Sequence, residues 1–204
     1  SMSILIGVLA AGVSAVMALI LGICAATLGK KVDSAISFAI DTVMGIPHIL
    51  LLILISYAMG KGLKGVIAGV ALTHWTSLAR LIRGEVMQLR ESEYIQIAGK
   101  LGLGKWEIAK KHIVPHVLPQ FIVGLVLLFP HAILHESSIT FLGFGLSTEQ
   151  PAIGVILSES MRYLIMGKWW LAVFPGMMLV LTVVLFEKGG TALRQLLDPG
   201  SVHK

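Results

Sequence analysis

The 204-residue sequence is poor in cysteine and in charge. Its one cysteine, Cys24, excludes a disulfide framework and a zinc site built from cysteines. Charged residues make up 13% of the chain, against about 25% in an ordinary soluble domain. Hydrophobic residues make up 56%, and the mean hydropathy is +0.88. Because so little charge cannot cover the surface of a soluble domain, we expect much of this protein to face lipid. The high hydrophobic content excludes a disordered chain.

Five apolar stretches predict five transmembrane helices in an all-α membrane protein. A bilayer core of about 30 Å is spanned by about 20 apolar residues of helix. The first stretch carries no charge, and it is too long, and lacks the preceding basic residue, for a signal peptide. Prolines inside three of the stretches are compatible with membrane helices, because neighbouring helices can satisfy the freed backbone groups. The stretches are 4–28, 34–59, 65–79, 117–144 and 169–186.

The lysines and arginines predict which side of the membrane each loop faces. With five spans, twelve of the 16 basic residues fall on one side and four on the other, and the richer side is predicted to be cytoplasmic. Residues 1–204 are then a single transmembrane domain, with a long cytoplasmic loop at 83–116 and an extracellular amphipathic segment at 145–168. This topology accounts for the net charge of +5, so no nucleic-acid site is needed to explain it.

The cytoplasmic loop is predicted to hold a short helix, a sharp turn and a second helix. Ser92 is expected to cap a helix that begins at Glu93, and Gly102 and Gly104 are expected to end it. Residues 105–111 are expected to start the next helix. Periodicity alone leaves two interpretations open, an interfacial amphipathic helix without a partner and a docking site for another protein. The side chains predicted to share one face are Tyr94, Ile97, Ala98 and Leu101.

This loop resembles the EAA signature of ABC importer permeases. The signature consists of Glu-Ala-Ala, three residues, Gly, nine residues and Ile-x-Leu-Pro. Here Gln96-Ile97-Ala98, Gly102 and His112-Ile113-Val114-Pro115 keep the spacing and differ from the signature at Gln96, Ile97 and His112. Glu93-Tyr94-Ile95 is similar to the form found in the peptide, opine and nickel branch.

Further motifs of that branch follow in the same order along nearly the whole chain, and they resemble the C-type subunit of a permease pair. The resemblance implies the type I importer permease (MetI-like) fold. That fold has six helices, so one more helix is expected before the first residue. The motifs are Asp41-x-x-x-x-Ile46-Pro47, Trp75-x-x-x-Ala79-Arg80-x-x-Arg83-x-Glu85, Glu136-Ser-Ser-Ile-Thr-Phe141-Leu-Gly-Phe-Gly145 and Leu193-Arg194-x-x-Leu197-Asp198-Pro199.

The resemblance also implies a mechanism and a set of partners. The loop helix would be a coupling helix that docks on a cytoplasmic ATPase, and Ala98→Trp is expected to leave the protein folded but uncoupled. The chain has no Walker A sequence, so it is not expected to bind ATP in the usual way or to be an ATPase. The resemblance implies a transporter subunit that is not itself an enzyme and holds no cofactor. The expected partners are a second permease, two ATP-binding subunits that hold ATP and magnesium, an extracytoplasmic substrate-binding protein and the lipid of a bacterial or archaeal plasma membrane. The coupling residues implied are Glu93, Tyr94, Ala98, Leu101, Gly102 and Gly104.

A histidine pair in the fourth span bears on the substrate. His131 and His135 share a helix face, so they could bind a nickel, copper or zinc ion transiently, with Glu136 beside them on the substrate pathway. Alternatively, both histidines contact neighbouring helices. His48 and His74 are expected to serve packing or polar contacts, with a place on the substrate pathway as the lesser alternative.

The pair favours nickel or a nickel chelate as the substrate, with di- or oligopeptides as the alternative. A channel is a remote alternative, since a channel has no use for an ATPase-docking helix. A metalloprotease is disfavoured, because the order of His131, His135 and Glu136 differs from His-Glu-x-x-His.

Overall fold

The computed structural model of the protein describes residues 2–197, apart from the side chain of Lys105. Within this range the protein is all helical and has no strand, as predicted. The closing motif at 193–199 continues past this range, so its Asp198 and Pro199 lie outside the described residues. The elements are α1 (Met2–Thr27), α2 (Lys30–Gly45), α3 (His48–Ala58), α4 (Gly62–Glu91), α5 (Glu93–Lys100), α6 (Lys105–Ile108), a π-helical turn (Ala109–Ile113), α7 (Val114–Phe141), α8 (Ile153–Leu164) and α9 (Trp170–Leu197).

Four helical segments of residues 2–197 are long and apolar enough to cross a membrane, and α2 with α3 makes a fifth if that bent pair is one span. The bend between α2 and α3 is 99° and lies at Ile46-Pro47. Proline has no N–H to continue a helix, and it forces the preceding residue into an extended conformation, which Ile46 adopts (φ −91°, ψ 136°). The second predicted span is therefore broken at the cavity described below.

The centre of the bundle is the packing of α1 against α4. Gly22 on α1 faces Ala79 so closely that a Cβ at Gly22 would lie 2.9 Å from the Ala79 carbonyl oxygen. Ser14 on α1 donates a hydrogen bond to the carbonyl oxygen of Ala71 (3.1 Å). In lipid, where helices gain little from the hydrophobic effect, such close approach and interhelical hydrogen bonds hold helices together.

The two ends of the bundle are distinct. One end carries the helical hairpin formed by α5, the turn 101–104 and α6, and we call it the hairpin end. There Arg90 of α4 donates to the Ala26 carbonyl oxygen in the last turn of α1. At the other end the backbone N–H of Gly62 donates to the Gly145 carbonyl oxygen (3.1 Å). The short helix α5 lies at the hairpin end and α8 at the opposite end.

The predicted cytoplasmic loop at 83–116 is mostly helix. Helix α4 continues to Glu91, because Val86 and Leu89 in its last turns are buried in the same core cluster as α1 residues. The fourth candidate span already begins at Trp106. The non-helical part is therefore confined to Ser92 and the turn at 101–104.

Two of the motif segments meet in the structure. Arg80 on α4 lies 2.5 Å from the Asp41 carboxylate on α2, and Arg83 contacts the Asp33 carboxylate one turn further along. These ion pairs join the first arm of the broken span to the central helix.

Candidate functional site

A helical hairpin, formed by α5, the turn 101–104 and α6, is the first candidate site. Gly102 has a positive φ of 90°, and its N–H donates to the Gly99 carbonyl oxygen (3.1 Å). The N–H of Leu103 donates to the Ala98 carbonyl oxygen (3.2 Å). These two bonds are the Schellman pattern that ends a helix at a glycine. The predicted helix end at Gly102 is thus confirmed. Ser92 does precede the helix, but its Oγ donates to Leu89 (2.5 Å) instead of capping the first turn of α5 within the described structure.

The hairpin presents apolar side chains to the outside. Leu101 is 76% exposed and Trp106 is 81% exposed, and Tyr94 and Ile97 are also exposed. Glu93, Gly102 and Gly104 are exposed as well, as a docking surface requires. Trp106 was not predicted as a coupling residue, because it is one of the nine residues between Gly102 and His112 that the signature leaves unspecified.

Ala98 differs from the other predicted coupling residues. It is only 8% exposed and, with Ile95, forms the inward face of α5. The expectation that Ala98 is an accessible docking residue is therefore wrong for this structure. The small side chain of Ala98 allows α5 to pack closely against the bundle.

The second candidate site is a cavity of about 620 Å³ at the bend of the broken span. It lies among the α2–α3 junction, α4 and α7, and its described lining includes no acidic residue. Its polar lining consists of His48, Thr73, His74, Thr76, Ser77, His131 and His135.

Three of these histidines form a compact group. The ring centroids of His48, His74 and His135 lie 4.5–4.8 Å apart, and each pair is arranged edge to face. Nε2 of His74 lies 3.1 Å from Nδ1 of His135. One ligand nitrogen from each residue can be chosen so that all three lie within 4.8 Å of one another.

The backbone orients two of these rings. Nδ1 of His74 lies 3.0 Å from the Val70 carbonyl oxygen, and Nδ1 of His135 lies 2.8 Å from that of His131. A carbonyl oxygen only accepts, so both Nδ1 atoms carry the proton. The Nδ1–H of His135 also faces Nε2 of His74, whose lone pair accepts from it, while Nε2 of His135 keeps its own lone pair. Nε2 of His48 is buried and has no hydrogen-bond partner among residues 2–197.

The histidine pair predicted from spacing is only half present in this group. His135 belongs to it, whereas His131 lines the cavity outside the group. The other two rings belong to His48 and His74, for which packing or polar contacts were the main expectation and a pathway role the lesser one.

Glu136 does not line the cavity. It is fully buried, and Thr140 Oγ1 donates to its Oε1 (2.9 Å). Thr140 Oγ1 in turn accepts from the N–H of Leu146 (3.1 Å), so Glu136 belongs to a polar network that supports the chain after α7. Its predicted place on the substrate pathway is not where the structure puts it.

Comparison with known proteins identifies a family. The family described as "binding-protein-dependent transport system inner membrane component" matches residues 18–201. The chain belongs to this family, and its apolar helices make it a multi-pass membrane protein.

Several curated relatives are similar over almost the whole chain. The dipeptide transport system permease protein DppC of Bacillus subtilis is 32% identical over 97% of this chain, and the oligopeptide permease protein OppC of the same organism is also 32% identical over 97%. The probable D,D-dipeptide permease protein DdpC of Escherichia coli is 29% identical. The chain spans only 62%, 64% and 66% of these relatives' own lengths, respectively.

A solved structure has the same fold. A chain of the MetNI methionine ABC transporter, in an inward-facing conformation, superposes with a TM-score of 0.78 over 97% of this chain and 93% of that chain, at 16% identity. The predicted MetI-like permease fold and the resemblance to ABC importer permeases of the peptide branch are therefore confirmed. The preference for nickel gains no support from these relatives, whose names agree better with the peptide alternative.

Proposed function

Because the chain belongs to the family of binding-protein-dependent transport system inner membrane components, we propose that it is the permease subunit of an ATP-driven peptide importer in a bacterial plasma membrane. The names of the dipeptide and oligopeptide relatives support peptides as the cargo class. The cavity supports the same choice, since about 620 Å³ is within the range of small-molecule sites.

The exposed apolar hairpin is the observation that carries this proposal. Tyr94, Leu101 and Trp106 expose large apolar surfaces at a bundle end that also carries Lys100 and Lys110. An exposed apolar patch with charged residues beside it is typical of a protein–protein contact. Its partner would be an ATP-binding subunit that holds ATP and magnesium, because the sequence of this chain has no Walker A motif.

The remaining partners follow from the same family. A second permease subunit would pair with this chain, and a second ATP-binding subunit would complete the ATPase pair. An extracytoplasmic binding protein would deliver the peptide near α8. ATP binding would draw the hairpins together and switch the permease pair between inward-open and outward-open states. A channel would need no such hairpin, so the exposed patch argues against that alternative.

The test uses the assembled transporter in lipid nanodiscs for subunit binding and in sealed proteoliposomes for uptake. Leu101→Asp places a charge in the centre of the exposed patch without changing a buried contact, because Leu101 is mostly exposed. We expect the variant to fold and insert, to lose the ATPase subunit on size exclusion, and to lose ATP-driven peptide uptake.

Lys100→Gln is the matched control, since it changes a neighbouring exposed residue of α5 without removing apolar surface. It should retain both the ATPase subunit and uptake. Normal coupled uptake by the Leu101→Asp transporter would refute the proposed docking surface.

A further inference from the structure

We propose that His48, His74 and His135 bind a first-row divalent transition-metal ion, which enters the cavity as cargo on a small carboxylate-bearing chelator such as a short peptide. This inference rests on the proposed import function and specifies its cargo. It differs from the pair expected from spacing, because two of the three ligands come from other helices.

The geometry of the three rings is close to that of a metal site. Imidazole nitrogens bound at about 2.0–2.1 Å to one tetrahedral ion lie roughly 3.3–3.4 Å apart. One ring nitrogen from each residue can be chosen so that all three lie within 4.8 Å of one another, and side-chain rotation would aim the three Nε2 lone pairs at one ion. Imidazole is a ligand suited to nickel, copper and zinc, and three imidazoles leave at least one position open.

The surroundings of the rings also resemble those of metal ligands. Histidines that bind metals commonly donate their second ring N–H to a backbone carbonyl, which fixes the ring and its tautomer. Val70 accepts this bond from His74, and His131 accepts it from His135. The buried Nε2 of His48, unpartnered within residues 2–197, gains a partner when an ion is bound. A buried polar atom without a partner is costly, so a group that completes its bonding is favoured.

The three histidines lie where a substrate pathway through the membrane is expected. His74 lies about 18 Å along α4 from Gly62 and about 26 Å from Glu91, near the middle of the helix. His48 begins α3 directly after the break in the second span. Interrupted helices near the middle of a transporter are where substrate sites are commonly built.

The charge of the cavity selects a chelate over a bare ion. Neutral imidazoles supply no negative charge, and the described lining holds no Asp or Glu. A divalent ion alone would place an uncompensated double charge within the membrane, which is unfavourable. Carboxylates of a chelator offset this charge and fill the open coordination positions. The cavity of about 620 Å³ also exceeds what one ion needs and accommodates a molecule of dipeptide size.

The test measures metal binding by the assembled transporter in lipid nanodiscs with three probes: Ni²⁺ alone, Ni²⁺ mixed with an equimolar amount of diglycine, and diglycine alone. Co²⁺ is used in parallel, since its visible absorption reports imidazole coordination. We expect Ni²⁺–diglycine to bind more tightly than Ni²⁺ alone or diglycine alone.

His48→Asn and His135→Asn keep polar side chains but remove a ligand. Loss of an outer-shell partner weakens metal affinity about 10–100-fold, so loss of a direct ligand should weaken it by about 100-fold or more. His116→Ala, an exposed histidine near the hairpin end, should leave the affinity unchanged. His131→Ala should also retain the Co²⁺ spectrum, which separates the three-histidine group from the pair based on spacing. Melting temperatures without metal establish that each variant is folded.

The outcomes separate the metal site from the transport function. Equal Ni²⁺ affinity of the wild type and a folded His48→Asn, His135→Asn double variant, with every probe, overturns the site. Tighter binding of Ni²⁺ alone than of Ni²⁺–diglycine, lost in the double variant, supports the site and overturns the chelate as cargo. In sealed proteoliposomes, ATP-driven uptake of metal-free diglycine that the histidine variants leave unchanged overturns the metal cargo and leaves peptide import standing. Absence of ATP-driven uptake of any of these probes by the wild type counts against the proposed function, whatever the metal affinity.

Discussion

Arg83 donates two hydrogen bonds to the carboxylate of Asp33, one from Nε to Oδ1 and one from Nη2 to Oδ2 (2.7 Å). Both side chains are about three-quarters buried, with exposures of 26% and 24%. A paired geometry of this kind fixes orientation as well as distance. It therefore sets how α2, the first arm of the broken span, lies against α4.

Asp33→Asn should destabilise the protein measurably. The substitution removes one charge and leaves Arg83 half-satisfied, which we expect to lower the free energy of unfolding by roughly 1–3 kcal/mol. Thermal melting of the purified transporter measures the change. Asp41→Asn is the control, because Asp41 and Arg80 are both largely exposed and such pairs contribute about 0–1 kcal/mol. Equal losses for the two variants would contradict the special role of the Asp33–Arg83 pair.

Ala98→Trp should impair folding and not only coupling. The inward face of α5 leaves Ala98 just 8% exposed, and overpacking of a buried site costs about 1–3 kcal/mol. Ile97→Trp, on the exposed side of the same helix, should fold normally. Fluorescence-detected size exclusion of the two variants after expression measures the folded fraction. A well-folded Ala98→Trp protein with the melting temperature of the wild type would contradict this prediction. It would show that the space between α5 and the bundle can take an indole ring.

Gly102→Ala should loosen the hairpin. Its positive φ places a Cβ in an unfavourable conformation, which costs about 1–2 kcal/mol. Gly104→Ala is the matched control, because no described neighbouring atom lies within 4 Å of a Cβ there and its φ is outside the left-handed region. Hydrogen exchange of residues 93–104 in the assembled transporter should increase for Gly102→Ala alone. The interpretation fails if both variants exchange at the same rate.

Gly22→Val should separate α1 from α4. The added Cβ would lie 2.9 Å from the Ala79 carbonyl oxygen and 3.0 Å from two side-chain carbons of Ile82. Both distances are shorter than van der Waals contact. Gly12→Val changes the same helix at a site where no described neighbour lies within 4 Å of the Cβ. We expect a lower melting temperature for Gly22→Val and little change for Gly12→Val. Similar melting temperatures would show that α1 can move away from α4 at little cost.

The spans and the hairpin turn could be predicted from the sequence because their causes are local. Hydropathy over about 20 residues defines a span, and a glycine after a helical segment marks its end, as at Gly102. The predicted helix cap at Ser92 was wrong, because its hydroxyl donates to the carbonyl oxygen of the preceding Leu89 instead. A single sequence does not decide between these two bonds.

The histidine group could not be predicted in the same way. His48 and His74 are 26 positions apart, and His135 is another 61 positions along the chain. Their contact depends on the 99° bend at Pro47 and on the packing of α4 against α7, which are tertiary features. Spacing within one helix therefore pointed to His131 as the neighbour of His135 and could not reveal the two rings from other helices.

The stretch Trp106–Phe141 is one continuous helix of 36 residues, and the π-helical turn at Ala109–Ile113 interrupts its winding but not its course. At 1.5 Å per residue it is a rod of about 54 Å. Its first residue stands in the exposed patch, and His135 stands near its far end. A displacement of Trp106 is therefore passed to the imidazole of His135 through the backbone of a single helix, past Pro119 and Pro130.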